Sequence, residues 1–149
     1  MRIERASSKH LGELLVERGV ISRAQVEKVI EHQRSHAGVL FGEALVNLAF
    51  ATEEDIAQAL TCQYGFPYLP LANYEIDPEV IRSVPANLCG QFCLVPIDKI
   101  GKSLTLAMAN PLNVKAVDDV ELITGCTVQA FVSTTTDIRN AIKKYYGLA

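Results

Sequence analysis

The chain has 149 residues, 49% of them hydrophobic and 21% charged, with a formal net charge of −3, a composition that suits a folded, soluble protein with one good core or two small ones. No apolar run approaches the roughly 20 residues of a membrane span, and the opening MRIERASSKH lacks the apolar stretch of a secretion signal, so a cytoplasmic protein is expected. Residues 1–63 carry seven basic and nine acidic side chains and residues 64–149 carry seven and eight, which leaves no basic field for a nucleic-acid backbone in either half.

The first element is a helix. Leu11, Leu14, Leu15 and Val16 form an apolar stripe at helical spacing, and Arg18 followed by Gly19 supplies a basic last turn and a left-handed terminator. A second helix starts at once: Ser22 and Gln25 have the spacing of a capping box, and Val26, Val29 and Ile30 carry the apolar face as far as Gln33. Residues 40–63 then repeat residues 10–33. Five of the 24 paired positions are identical (Gly12/Gly42, Glu13/Glu43, Leu15/Leu45, Val16/Val46, Gln33/Gln63), and Leu11/Phe41, Ser22/Thr52, Val26/Ile56 and Ile30/Leu60 match in size or chemistry. In the second copy Leu45 and Leu48 repeat the first stripe, Thr52 with Glu53, Glu54 and Asp55 gives a cap and first-turn acids, and Ile56, Ala59 and Leu60 repeat the second stripe. One position departs. Ala49 replaces Gly19, so that turn must avoid the left-handed conformation or adopt it with a Cβ at a cost.

Beyond Gln63 the pattern changes. Tyr64-Gly65-Phe66-Pro67-Tyr68-Leu69-Pro70-Leu71 is held extended by its prolines and reads as a connector whose aromatics can dock on the helical part. Asp77 before Pro78 caps a short helix over residues 78–84, stopped by Pro85. Residues 92–98 and 103–109 flank residues 99–102 and read as a β-hairpin, with Leu104, Leu106 and Met108 alternating against Thr105 and Ala107. A helix over 114–123 closed by Gly125, a strand over 127–132, and an amphipathic helix over 136–146, opening nearer Thr134, complete the chain. The expectation is an α+β protein: tandem helical hairpins, two 24-residue repeats, in residues 1–69, then a small α/β sandwich in residues 70–149, built of a β-hairpin plus one further strand with covering helices. Arg139, Lys143 and Lys144 are expected to form a basic tip on the last helix, with Tyr146-Gly147 as a hinge.

Catalytic and metal chemistry find no foothold. Cys89 and Cys93 lack zinc-ligand spacing, and free cysteines behave as small buried hydrophobes. His32 and His36 lie four apart, but no carboxylate follows in a metalloprotease pattern, so exposed or capping histidines are expected. Gly101-Lys102-Ser103 copies the end of a phosphate-binding loop, yet Pro96 stands where its first glycine is required and a strand follows where a helix is required; a hairpin turn is expected. Asp118 and Asp119 diverge on one helix, and no serine sits in a nucleophile turn. No catalytic or metal site is expected, and no cofactor is required.

The repeated block resembles the N-terminal domain of the secretion and pilus assembly ATPases, called the MshEN domain in its cyclic di-GMP-binding form. Leu11-Gly12, Leu14-Leu15-Val16, Gly19-Val20-Ile21, Val26, Ile30 and Gln33 fit the first copy of the family pattern; Phe41-Gly42, Leu45-Val46, Leu48, Ile56, Leu60 and Gln63 fit the second. Gly65-Phe66-Pro67-Tyr68-Leu69, the segment from Leu106 to Leu112, Asp118-Asp119, Ile123-Thr124-Gly125 and Tyr145-Tyr146-Gly147 resemble further landmarks of the domain. The resemblance implies a non-catalytic regulatory domain, with any ATPase activity in a separate C-terminal module or partner ATPase. It also implies cyclic di-GMP as a possible ligand, contacted by His10, Leu11, Gly12, Leu15, Gly19, Gln33, Leu40, Phe41, Gly42, Leu45 and Gln63. A two-fold ligand suits a doubled motif: leucines cover purine faces and a terminal glutamine meets a guanine edge.

Departures from the family pattern open a second reading. The arginine that starts each motif is His10 in one copy and Leu40 in the other, and the second glycine of copy two is Ala49. A charge-assisted Arg contact is worth roughly 1.5–3 kcal/mol. The alternative is a docking domain that links an ATPase to the inner-membrane platform of a type II secretion or type IV pilus system without nucleotide, peripheral to the membrane through its partners and not inserted in it.

Overall fold

The computed structural model describes residues 11–72 and 74–147. His10 lies outside the described residues. The repeat half comprises α1, described over residues 11–17, α2 (Arg23–Ser35), α3 (Phe41–Asn47) and α4 (Glu53–Tyr64). The copies correspond residue for residue at an offset of thirty. Both second helices begin with a reciprocal capping box: Gln25 N–H donates to Ser22 Oγ at 3.2 Å while Ser22 N–H donates to Gln25 Oε1 at 2.8 Å, and Asp55 and Thr52 repeat this at 3.0 and 3.0 Å. Both first helices end in the left-handed region, at Gly19 with φ 74° and Ala49 with φ 58°. The backbone bonds around these residues match, Val20 N–H to Leu15 O at 2.9 Å and Phe50 N–H to Leu45 O at 3.0 Å. Ala49 therefore adopts the strained conformation, which costs a non-glycine residue about 1–2 kcal/mol.

The copies pack through their glycines. A Cβ at Gly12 would lie 3.1 Å from Cζ of Phe41, and one at Gly42 would lie 4.0 Å from Cδ2 of Leu11 and 3.6 Å from Cδ1 of Ile56. Phe41 thus covers Gly12 while Leu11 approaches Gly42, a reciprocal crossing of two similar helices. Leu11, Leu15, Val29, Phe41, Leu45, Ala59 and Leu60 are buried in the core this makes.

The second half runs α5 (Pro78–Arg82), α6 (Ala86–Phe92), β1 (Leu94–Ile100), β2 (Ser103–Met108), α7 (Val114–Thr124), β3 (Thr127–Val132) and α8 (Thr135–Tyr146). The sheet has the order β1-β2-β3, antiparallel between β1 and β2 and parallel between β2 and β3, so α7 is a crossover helix. Its own core includes Val84, Leu94, Val95, Leu104, Leu106, Met108, Val120 and Ile138. Three details differ from the sequence expectation. Tyr64 is the last residue of α4 rather than the first of the extended connector, because the helix runs on until Gly65 ends it in the left-handed conformation. Pro85 ends α5 and also stands at the N-cap of α6, because proline is excluded from a helix interior but tolerated at its start; the first strand accordingly begins at Leu94, not at 92. The hairpin turn is two residues, since Ile100 pairs with Ser103, and Gly101 takes φ 60°.

The connector joins the halves by pairing with the sheet: Val132 N–H donates to Pro67 O and Leu69 N–H to Val132 O, each at 2.8 Å. Phe66 and Val132 complete the repeat core. At the other end two tyrosines tie the last helix to the start of this half. Tyr146 Oη lies 2.9 Å from both Ile81 O and Val84 O, and Tyr145 Oη accepts from Ile76 N–H at 3.0 Å and donates to Tyr74 O at 3.2 Å. Both tyrosines thus anchor α5 and the loop before it. Lys143 and Lys144 lie toward solvent at the end of α8, as expected of a basic tip, but Arg139 turns inward to Glu43.

Candidate functional site

A cavity of about 370 Å³ lies where the second repeat meets the α+β half. The repeats contribute Leu11, Gln33, Leu40, Phe41 and Gly42, and the start of α4 contributes Glu53, Ile56 and Ala57. The opposite wall carries Gln91, Phe92, Asn110, Asn113, Ser133, Thr134 and Thr135. Local chemistry explains how the polar members are held. Asn113 caps α7 by accepting from Ala116 N–H at 3.3 Å, Asn110 accepts from Leu112 N–H at 3.1 Å, and Thr134 caps α8 by accepting from Asp137 N–H at 3.2 Å. Each asparagine spends its oxygen on the backbone, so its NH2 group is the end suited to a ligand. The apolar face, Leu11, Phe41 and Ile56, supplies the flat hydrophobic surface that an aromatic ring requires.

Two acids of the second copy bridge to α8. Glu43 Oε2 accepts from Arg139 Nη2 at 2.8 Å and Nε at 3.3 Å, while its Oε1 accepts from Leu40 N–H at 3.2 Å. Arg139 Nη1 donates to Gly90 O at 2.7 Å, so the guanidinium joins three elements. Glu53 accepts from Thr136 N–H at 2.6 Å and from its hydroxyl at 2.5 Å. A smaller groove of about 230 Å³ flanks the same contacts on the side of Val46, Asn47 and Thr136.

Five of the eleven expected ligand residues converge on the cavity: Leu11, Gln33, Leu40, Phe41 and Gly42. Gln33 spends one amide N–H on Val39 O at 3.0 Å, closing the spacer between copies. Leu40, in place of the family arginine, packs against the α+β core. Gly12 lies under Phe41, Leu15 and Leu45 are fully buried, Gly19 forms a turn away from the cavity wall, and Gln63 is exposed on α4. The sequence reading missed the wall supplied by Gln91, Asn110, Asn113 and Ser133. Only the capping roles of Asn113 and Thr134 leave a local trace, because convergence from such distant positions has no sequence period.

Fold and site together define a class: a doubled helical module sealed against a small α+β module, with a cavity at their junction. The family model described as the MshEN domain matches residues 64–149, and the chain belongs to that family. The match begins where the repeats end. Curated relatives include the type IV pilus assembly ATPase PilB of Myxococcus xanthus, 37% identical over 139 residues, and that of Thermus thermophilus, 28% identical over 148. These alignments cover 93% and 98% of this chain but only 24% and 16% of the relatives. Among solved structures, the N-terminal domain of XpsE aligns with a TM-score of 0.74 at 23% identity, covering 95% of this chain and 96% of that one. The structure of MshE with cdg aligns at 0.67 and 24% identity, covering 91% and 98%. These likenesses establish the fold. Among the described residues, no helix is long and apolar enough to cross a membrane.

Proposed function

We propose that the chain is the ligand-sensing N-terminal domain of a pilus or secretion assembly ATPase, with ATPase activity in a further module, and that its ligand is cyclic di-GMP. The observation that carries this reading is the reciprocal crossing at Gly12 and Gly42, which brings Leu11 and Phe41 together beside a cavity walled by the α+β half. Two similar half-sites suit a two-fold dinucleotide. They are not equal: the half nearer Gln33 and Gly42 is walled by Asn110 and Asn113, whereas Gln63, the counterpart of Gln33, is exposed. One guanine is therefore held in the cavity and the other in the open half. MshE, similar in fold, has been solved with cyclic di-GMP, which supports the ligand class.

A second reading, a docking domain between the motor and an inner-membrane platform, is favoured by Leu40, which puts an alkyl group packed on the α+β core where the family pattern has a guanidinium. Calorimetry of the domain with cyclic di-GMP separates them. Binding weaker than micromolar is expected, tightened about tenfold or more by the double change His10→Arg with Leu40→Arg. No heat from either protein would favour docking.

A further inference from the structure

We infer that the wall shared by α4 and α8 is an anion site held from within by Glu53, so that a phosphate group of the ligand enters by displacing this carboxylate. Glu53 is the first residue of α4, and its two oxygens accept the N–H and hydroxyl of Thr136 in the first turn of α8 at 2.6 and 2.5 Å. The twelve-residue helix α8 thus directs its N-terminus, where unsatisfied N–H groups and the positive end of the dipole favour an anion, at this carboxylate.

A second observation points to a guest. Ser133, immediately before the cap of α8, lines the same cavity at 2% exposure, and its Oγ has no hydrogen-bond partner. A buried hydroxyl is almost always paired in a native protein, and a phosphate oxygen arriving at the α8 terminus supplies the missing acceptor. Charge completes the case. No described lining residue is Lys, Arg or His, and Glu43 is matched by Arg139, so among the described residues Glu53 is the acid at the cavity without a cationic partner. An incoming phosphate meets this like charge first. Glu53 is therefore autoinhibitory: it keeps the α8 terminus satisfied in the empty domain and sets a threshold that the ligand must overcome. In copy one the equivalent residue is Arg23, so only copy two carries the device.

This inference rests on the cavity receiving a phosphodiester of cyclic di-GMP, and the experiment separates the two ideas. Glu53→Gln retains an oxygen to accept from Thr136 but removes the charge, and the Thr52–Asp55 capping box keeps α4 intact; Glu53→Ala serves as a second variant, and melting curves confirm that each is folded. Calorimetry with cyclic di-GMP and, separately, with inorganic phosphate is expected to show affinity rising about tenfold in Glu53→Gln, and falling severalfold again when Ser133→Ala is added. If only phosphate binds and shows this gain, the nucleotide reading falls while the anion site stands. If cyclic di-GMP binds wild type and Glu53→Gln alike, or binds the variant more weakly, Glu53 is a bystander or a direct acceptor for the base, and the inference is overturned while the nucleotide reading survives. No binding of either probe to any of the proteins overturns both.

Discussion

The two repeat copies share a backbone and differ in what they touch. Each has a seven-residue described first helix, a left-handed terminator and a reciprocal capping box, yet among the described residues it is copy two that reaches α8 of the α+β half, through Glu43 to Arg139 and Glu53 to Thr136. The counterparts in copy one are the exposed Glu13 and Arg23. Punctuation residues therefore set the repeat fold, while outward positions decide the task of each copy. The same backbone can hold one half-site open and wall the other.

Breaking the bridge gives the largest expected effect. Glu43→Ala leaves the half-buried Arg139 without its carboxylate and should cost about 2 kcal/mol, whereas Glu13→Ala, on an exposed face, should cost under about 1 kcal/mol, both read from denaturant midpoints. Equal losses would show that copy two holds no special position. Next come the crossing glycines. Gly42→Ala adds a methyl at ordinary contact distance and gains helix propensity, so it should stabilise by about 0.5–1 kcal/mol. Gly12→Ala must push Phe41 aside and should be neutral or destabilising by about 1 kcal/mol. A smaller change removes the backbone difference between the copies: Ala49→Gly relieves the φ 58° conformation and should stabilise by about 0.5–1 kcal/mol, less than the full strain because glycine also frees the unfolded chain. Cysteine labelling contrasts the two halves without affecting stability. Burial pushes Cys89 up to about 11 and Cys93 up to about 12, and Cys126 is buried, so at about pH 7 a maleimide should modify Cys62 alone. Modification of Cys89 at a comparable rate would mean that the α+β core opens.

Much of this is readable in the chain, for reasons that also mark where reading stops. The caps at Ser22, Thr52, Asp77 and Thr134 and the left-handed ends at Gly19, Gly125 and Gly147 act within a few residues, so the elements they bound are legible. Helix α6 is not, because in sequence Pro85 reads as a stop alone and Phe92 as part of a strand. Tyr145 and Tyr146 show the limit more sharply. Their apolar rings fit an amphipathic helix, but the partners of their hydroxyls lie 57 to 71 residues away, so their anchoring role has no local trace. For the candidate site, residues in the doubled motif can be named from the repeat, whereas Asn110, Asn113 and Ser133 reach the cavity only through the parallel crossover and the docking of the two halves. The repeat marks Gly12 and Gly42 as places where something must come close, and what comes close in this structure is the other copy's Phe41 and Leu11.

The central claim is that cyclic di-GMP sits where the crossed repeats meet the α+β wall, and mapping amide and methyl chemical shifts of the labelled domain during a cyclic di-GMP titration tests it most directly. The account predicts concerted shifts at Leu11, Gln33, Gly42, Asn113 and Ser133, with weaker ones at Gln63 in the open half. Shifts confined to exposed residues such as Leu122 and Ile123, or none at saturating nucleotide, would contradict it.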